Sequence, residues 1–318
     1  MLSFEETDCD WCGSREAEVL FEGPDLLLGF PGQFRMVRCS KCGLFRQDPR
    51  LTLESLETYY PQNYGPYETI IATDKSFLKR LDRRYGMWKR LQIIQHFQPC
   101  GKLLEVGCGT GIFLAEAQRT HRWELTAVEP NVKAASYIEK TLQLPVLADR
   151  FTDAKLPENH FDVITMWNVL EHLDHPINDL RRVHQLLREG GWFVFSIPNL
   201  ESLDAKAFGK YWLGWELPRH LYLFPQQQLR RIIEEIGFNW VDARCIAGNH
   251  SALGLSIEYL LRAKNIHNRA IVRLLLNLYR SLPVRIIFSP FFWLAGQFRQ
   301  STLITIIAQK KSARDTHD

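Results

Sequence analysis

The chain has 318 residues, 46% of them hydrophobic and 24% charged, which suits one large globular domain with additions or two domains and excludes a low-complexity chain. The net charge of +3 is uneven, because residues 259–318 hold ten Lys and Arg against two Asp. Met1 to Asp10 is acidic and has no apolar core. This start predicts no secretory signal and a cytoplasmic location.

Four of the seven cysteines form two Cys-x-x-Cys pairs, Cys9 with Cys12 and Cys39 with Cys42. A glycine follows each pair and lets the backbone fold back around a metal. The spacing predicts a zinc ribbon over residues 1–50, with the four thiolates in a closed, structural Zn site. Redox-active or buried apolar cysteines are the alternative. The other three cysteines are isolated, and no disulfide framework is indicated.

Residues 51–98 are predicted to form a helical linker or cap. The aromatic, turn-rich run at 51–66 either packs across the mouth of the next domain or is an ordinary linker. A helix is expected over residues 74–97, with Asp74 as its N-cap. Its other face is basic and is expected to meet solvent, or else substrate phosphate. Apolar residues at helical spacing predict that the helix covers the main domain: Phe77, Leu81, Tyr85 (or Trp88), Leu91 and Ile94.

A glycine-rich loop follows the short apolar strand predicted at Lys102 to Val106. Gly107, Gly109 and Gly111 present no Cβ, so a ligand can lie against the backbone where the strand turns into a helix at 112–119. This loop predicts a nucleotide site. Ile112 stands where a dinucleotide fingerprint has its last glycine, which disfavours NAD.

Strands and helices then alternate, which predicts a parallel sheet with helices on both faces. Strands are expected at 124–128, 145–148, 161–166, 192–197, 238–245 and 303–308. Helices are expected at 131–141, 177–188 and 229–237.

Two stretches resemble class I S-adenosylmethionine (SAM) dependent methyltransferases. Glu105 precedes the glycines in the pattern E/D-x-G-x-G-x-G, and FDVITMWNVLEHLDHP, from Phe161, resembles the fourth motif of that family. The resemblance implies an α/β, Rossmann-like sheet of seven strands whose last strand is antiparallel. The methyltransferase domain would cover residues 99–318, with a helical insertion at 246–301.

The resemblance also implies which residues would hold SAM. Glu105 belongs to the glycine loop motif, and Glu129 would accept hydrogen bonds from both ribose hydroxyls. Asp149 would lie near the adenine amino group. Trp167 and Asn168 would lie beside the methionine portion. With the three glycines, these are the predicted cofactor-binding residues.

Two histidines are candidates for removing a proton from the acceptor. His220 lies in the aromatic segment FGKYWLGWELPRHLYLF, residues 208–224, which covers the substrate cleft in the resembling family. An imidazole with a pKa near neutrality can act as a general base, so His220 is the first candidate. His172 is the second, although it would also suit a helix end. Packing is the alternative for most of the aromatic residues.

The insertion is basic and apolar. Its apolar runs end at about ten residues, too short for a membrane span, which needs about 20. Such a pattern predicts an amphipathic helix pair on an anionic membrane surface, while a homodimer interface or a helical cap stays open. The basic residues within 262–299 are Arg262, Lys264, Arg269, Arg273, Arg280, Arg285 and Arg299.

The predicted function is SAM-dependent methyl transfer to a hydroxyl or carbon of a saccharide or lipid-linked saccharide. The acceptor class follows from the resemblance, because similar chains with zinc ribbons include sugar and cell-surface glycan methyltransferases. The enzyme would work in the cytoplasm or at the inner face of the membrane. An RNA methyltransferase is an alternative, disfavoured because the basic residues alternate with aliphatic ones. The other alternative is a non-catalytic binding protein.

Overall fold

The computed structural model describes residues 2–61, 77–246, 249–264, 277–279 and 281–312. The expected N-cap Asp74 and three basic residues of the insertion, Arg269, Arg273 and Arg280, lie outside these ranges.

The main sheet has seven strands: β6 (Gly101–Val106), β7 (Trp123–Val128), β8 (Val146–Leu147), β9 (Phe161–Trp167), β10 (Leu187–Pro198), β12 (Phe238–Arg244) and β13 (Leu303–Lys310). Across the sheet they lie in the order β12-β13-β10-β9-β6-β7-β8. The five strands from β10 to β8 run parallel, whereas β13 is antiparallel to both of its neighbours. This is the predicted Rossmann-like methyltransferase fold, which is confirmed.

Several helices pack against this sheet, and others pack on the N-terminal strands or on one another. Asn131 caps one of them through its side-chain oxygen, and another begins at Pro176. They are α1 (Leu53–Glu57), α2 (Phe77–Phe97), α3 (Ile112–Gln118), α4 (Val132–Leu142), α5 (Pro176–Leu186), α6 (Leu203–Phe208), α7 (Gln226–Ile236), α8 (Asn249–Ala263) and α9 (Leu282–Gln297). α5 ends earlier than predicted because Leu187 already pairs with Phe161, so β10 begins there and continues past a bulge.

α2 covers the main domain with its C-terminal half and not with its N-terminal half. Leu91 and Ile94 are buried, but Phe77, Leu81, Tyr85 and Trp88 are 45–67% exposed. Only the C-terminal half of the helix joins the hydrophobic cluster on one face of the sheet. The basic face also differs from the expectation, since Arg90 points inward and its guanidinium lies 4.8 Å from the centroid of the Trp167 ring.

The N-terminal unit is built on a second sheet of four strands, order β11-β4-β3-β2. Three strands come from the predicted ribbon and the fourth from the methyltransferase domain, so the two units share a sheet. A separate antiparallel pair joins β1 to β5. The strands are β1 (Phe4–Glu5), β2 (Ala17–Gly23), β3 (Phe34–Cys39), β4 (Phe45–Gln47), β5 (Arg50–Leu51) and β11 (Tyr222–Leu223).

The aromatic segment 208–224 joins these two units. Trp215 packs edge-on against Phe21, with ring centroids 4.9 Å apart, and Arg219 pairs with Asp25 at 2.6 Å in a fully buried contact. Trp215 therefore follows the packing alternative that the sequence left open for the aromatic residues of this segment.

Candidate functional site

A cavity of about 500 Å³ opens at the carboxyl ends of β6, β7 and β9. This is the edge where ligands bind in open α/β sheets. The glycine loop, Glu129 and Asn168 form one side of the wall. α1 and Tyr60 line it as well, so the start of the 51–66 run reaches this cavity, while residues 62–76 lie outside the described chain.

The glycine loop requires glycine at specific positions. All three glycines have positive φ, between 54° and 73°. A Cβ on Gly107 would lie 2.6 Å from a methyl carbon of Val169, and one on Gly111 would lie 2.9 Å from Ile138. Gly107 and Gly109 line the cavity, whereas Gly111 packs against α4. Bare backbone therefore faces the space that a nucleotide would take.

Glu129 lies in the cavity wall at the end of β7. The N–H of Gly109 donates to its Oε2 at 2.7 Å, and the N–H of Asn131 donates to its Oε1 at 2.9 Å. Burial raises the pKa of Glu129 to about 7, against these two hydrogen bonds. A carboxylate oxygen can accept more than one hydrogen bond, so the group fits the predicted ribose contact.

Glu105 and Trp167 lie behind the wall. Glu105 is buried on β6, and burial raises its pKa to about 8, opposed by the Arg90 guanidinium. Its Oε2 has no hydrogen-bond partner among the described residues. Trp167 packs between Arg90 and Phe113. Neither side chain lines the cavity, so each supports the wall from the other side.

Asp149 and Asn168 differ in placement. Asp149 is exposed and is not part of the cavity wall, to which its neighbours Arg150, Phe151 and Thr152 contribute instead. The adenine contact predicted for Asp149 therefore stays a prediction. Asn168 lines the cavity, has a φ of 59°, and accepts a hydrogen bond from the Ser196 hydroxyl at 3.0 Å.

The structure brings the two candidate histidines together. Their ring centroids lie 4.6 Å apart, although 47 residues separate His172 from His220 in the chain. His172 lines the cavity, and its Nδ1 lies 3.0 Å from the Tyr60 hydroxyl. Burial lowers the pKa of both imidazoles, which favours their neutral forms.

Sequence reasoning did not single out Glu171, whose side chain lies beside this pair of histidines. Its side chain is fully buried, and burial raises its pKa to about 8. Neither oxygen makes a hydrogen bond of good geometry within the described chain. Tyr60 was not named as a site residue, although one of the two interpretations of its aromatic run placed that run across the mouth of the domain. Glu171 had a signal, its position beside His172 in the fourth motif.

The four paired cysteines also come together. Cys9 Sγ lies 3.4 Å from Cys42 Sγ, Cys12 Sγ lies 3.5 Å from Cys39 Sγ, and all four sulfur atoms lie within 4.8 Å of one another. Four thiolates bound to zinc at about 2.3 Å would stand about 3.8 Å apart in a tetrahedron. The cluster therefore fits a Zn ion.

Known proteins resemble the methyltransferase part of the chain. A family model described as a methyltransferase domain (Methyltransf_23) matches residues 77–243, just over half of the chain. The chain belongs to this methyltransferase family. The prediction of a methyltransferase domain is thereby confirmed.

Curated relatives align over the same region. A ubiquinone biosynthesis O-methyltransferase of Albidiferax ferrireducens is 27% identical over 46% of this chain and 66% of its own length. One of Yersinia pestis is 33% identical over 47% and 63%. The chain thus spans just under two thirds of these relatives. A solved SAM-dependent methyltransferase of Archaeoglobus fulgidus has 18% identity and a TM-score of 0.47, covering 72% of this chain and 94% of its own.

Proposed function

We propose that this enzyme transfers the methyl group of SAM to a hydroxyl of a saccharide or lipid-linked saccharide. The supporting observation is that one cavity holds both halves of the required chemistry. The glycine loop and Glu129 form a wall suited to a nucleoside, and His172 lines the same cavity with His220 behind it. Relatives named as O-methyltransferases support an oxygen acceptor over a carbon one.

The cavity wall also suits a polyhydroxyl acceptor. Glu57, Asp174 and Asp179 contribute carboxylates to it, and Arg150, paired with Asp174 at 2.6 Å, contributes a guanidinium. Carboxylates accept hydrogen bonds from sugar hydroxyls. This supports a saccharide, as does the resemblance to zinc-ribbon sugar methyltransferases.

Catalysis would depend mainly on positioning. Bound SAM supplies a methyl group already activated by its sulfonium. The chain's own residues must align the acceptor oxygen, exclude water and accept the hydroxyl proton, and orientation alone can contribute several kcal/mol, up to about 7–11. The His172 and His220 pair is where the proton would leave, because both imidazoles are held neutral by burial.

A panel of acceptors tests the proposal. Nucleotide-linked sugars, lipid-linked saccharides and a structured RNA are incubated with methyl-labelled SAM, and products are identified by mass spectrometry. We expect a methyl ether on a saccharide hydroxyl. Labelled RNA alone would establish the RNA alternative, and SAM binding without transfer to any acceptor would favour the binding protein.

We further propose that the four-cysteine cluster binds one structural Zn ion. Four sulfur donors leave no open position for substrate, and the N-terminal unit is too small to be stable on its core alone. The shared sheet and the buried Arg219 to Asp25 contact would pass this stability to the catalytic domain.

We also propose that the insertion binds an anionic membrane surface, mainly through apolar contact. Ile287 and Trp293 on α9 are 72% and 66% exposed, and Phe298, which follows the helix, is 68% exposed. Among the described residues, no helix is long and apolar enough to cross a membrane. Contact would place a cytoplasmic enzyme at the inner face of the membrane, next to lipid-linked acceptors.

The insertion's charge is less available to lipid than the sequence suggests. Arg285 pairs with Asp82 at 2.9 Å, and Arg299 with Asp242 at 3.4 Å. Both acids lie outside the insertion, so they are not included in the charge of residues 262–299. Apolar burial would therefore contribute more than charge, and a dimer through the same face is the competing explanation.

A further inference from the structure

Three side chains beside the inner end of the cavity form a compact group: Glu171, His172 and His220. One potential ligand atom from each lies within 4.8 Å of the others. Nitrogen and oxygen ligands at about 2.0–2.2 Å from one cation stand about 3–4 Å apart. Closing each separation by at most about 2 Å would bring the three atoms to that spacing.

A backbone carbonyl fixes the tautomer of His220. Its Nδ1 lies 2.7 Å from the carbonyl oxygen of Gly214, and because a carbonyl oxygen only accepts, Nδ1 carries the hydrogen and Nε2 keeps its lone pair. Nδ1 of His172 lies 3.0 Å from the carbonyl oxygen of Arg219 and 3.0 Å from the Tyr60 hydroxyl, so its Nε2 is free to bind a cation when Nδ1 donates to that carbonyl. Histidines that bind metals usually have their other ring nitrogen held in this way.

Glu171 would supply the carboxylate ligand of such a site, giving up its proton when a cation binds. It is fully buried, and neither of its oxygens makes a hydrogen bond of good geometry in the described part of the chain, although the Asn168 side chain is close enough to oppose the rise of its pKa. Buried charges are normally paired or coordinate a metal. The backbone N–H of Leu221 donates to the backbone carbonyl oxygen of Glu171 at 2.8 Å, which holds the Glu171 backbone next to His220.

We propose that Glu171, His172 and His220 bind one divalent cation of the Mn²⁺ to Zn²⁺ series. Two imidazoles and a carboxylate suit these metals. The remaining coordination positions would face the cavity, because His172 lines it. Glu216, whose Oε2 lies 3.7 Å from His220 Nε2, would add a second negative charge nearby.

A catalytic role for this cation site rests on the methyl transfer proposed above. A cation that binds the acceptor hydroxyl lowers its pKa, so the proton leaves to water. The oxygen then bonds to the methyl carbon, the carbon–sulfur bond breaks with its electron pair on sulfur, and S-adenosylhomocysteine leaves. With the cation bound, water would replace the histidine pair as the acceptor of the hydroxyl proton, since a nitrogen that binds metal has no lone pair for it. The transfer of the methyl group itself is the same in both routes.

Binding of Mn²⁺ alone tests the site. The full-length protein, with its zinc content measured before and after mild chelation, is titrated with Mn²⁺ and free Mn²⁺ is followed by electron paramagnetic resonance. We expect one Mn²⁺ per chain, bound at least about 10–100-fold more weakly by Glu171→Gln and His220→Gln, since loss of even a supporting partner has that effect. Exposed His96→Gln and Glu189→Gln are the matched controls.

The wild-type spectrum decides the question even if a variant fails to fold. Bound Mn²⁺ should show electron spin echo modulation from imidazole nitrogen. Wild-type protein that binds no Mn²⁺, or whose bound Mn²⁺ shows no such modulation, overturns the proposal. Mn²⁺ binding that persists equally in both site variants also overturns it. Mn²⁺ bound without any methyl transfer would support the site while refuting the proposed function. Full activity after chelation, with zinc retained, would refute the cation's role in transfer.

Discussion

Replacement of Glu129 tests the cofactor wall most directly. Its two oxygens accept hydrogen bonds from Gly109 and Asn131 at 2.7 and 2.9 Å, which aims the carboxylate at the cavity. Glu129→Ala removes the acceptor that would bind the ribose hydroxyls. Glu129→Gln keeps the volume and one acceptor oxygen but removes the charge.

The magnitude follows from the bonds that are lost. A hydrogen bond to a charged group contributes about 1.5–3 kcal/mol, and water would replace part of the lost contact in the alanine variant. We expect Glu129→Ala to weaken S-adenosylhomocysteine binding by about 1–3 kcal/mol, or about 5–150-fold in Kd. Glu129→Gln should lie between the wild type and the alanine variant.

The binding should also depend on pH. Burial raises the pKa of Glu129 to about 7, so its ionised fraction rises from about one tenth at pH 6 to about nine tenths at pH 8. The charged form is the better acceptor, so wild-type affinity should rise over this range. The free energy of unfolding should fall over the same change in pH. The folded state holds the Glu129 proton more tightly than the unfolded state, and the stability gained from that proton is lost as the pH rises from about 4.5 through about 7.

Isothermal titration calorimetry with S-adenosylhomocysteine between pH 6 and pH 8 measures both effects. Glu105, whose pKa burial raises to about 8, titrates in an overlapping range, so the wild-type profile alone is not sufficient. Glu129→Gln should lose the rise centred near pH 7. Unchanged affinity in both variants, or the same pH profile in Glu129→Gln as in the wild type, would refute the assignment.

Three further predictions concern the rest of the chain. Cys39→Ser should remove one Zn per chain and make the N-terminal unit unfold at lower temperature, as metal analysis and calorimetry would show, because it breaks a four-sulfur set. Asp25→Ala should lower the free energy of unfolding by about 3–5 kcal/mol in denaturant titrations, since it leaves Arg219 buried without its carboxylate. Ile287→Asp with Trp293→Asp should abolish flotation with anionic vesicles, because both side chains are exposed on α9.

Each of these has a control and a contrary outcome. Cys100→Ser, at an exposed cysteine, should leave zinc unchanged, and a metal-free protein that is fully folded contradicts the ribbon. An Asp25→Ala variant as stable as the wild type would show that the buried pair is unimportant. Val132→Asp, at an exposed apolar residue outside the insertion, should leave flotation unchanged. The dimer would be established instead if the wild-type protein does not bind vesicles and the two α9 substitutions halve its mass in sedimentation.

Local patterns predicted the parallel sheet, and the family resemblance added its seven strands and antiparallel last strand. The alternation of strands and helices, and glycines placed where positive φ is needed, are properties of short stretches, and the sheet follows them closely. The four cysteines could be grouped in advance because metal-binding knuckles have a fixed spacing. The surroundings of α2 could not be predicted, since helical periodicity shows a side that is apolar but not whether a neighbour covers it.

The sequence by itself therefore determined the methyltransferase sheet, the glycine loop with Glu129 at the next strand end, and the pairing of cysteines. Only the tertiary structure decided what lies beside the cavity. It placed His220 against His172 and Glu171, turned the aromatic segment toward the N-terminal unit, and left Asp149 outside the wall. These relations join residues far apart in the chain, and their distances depend on how the two sheets pack, which no local pattern encodes.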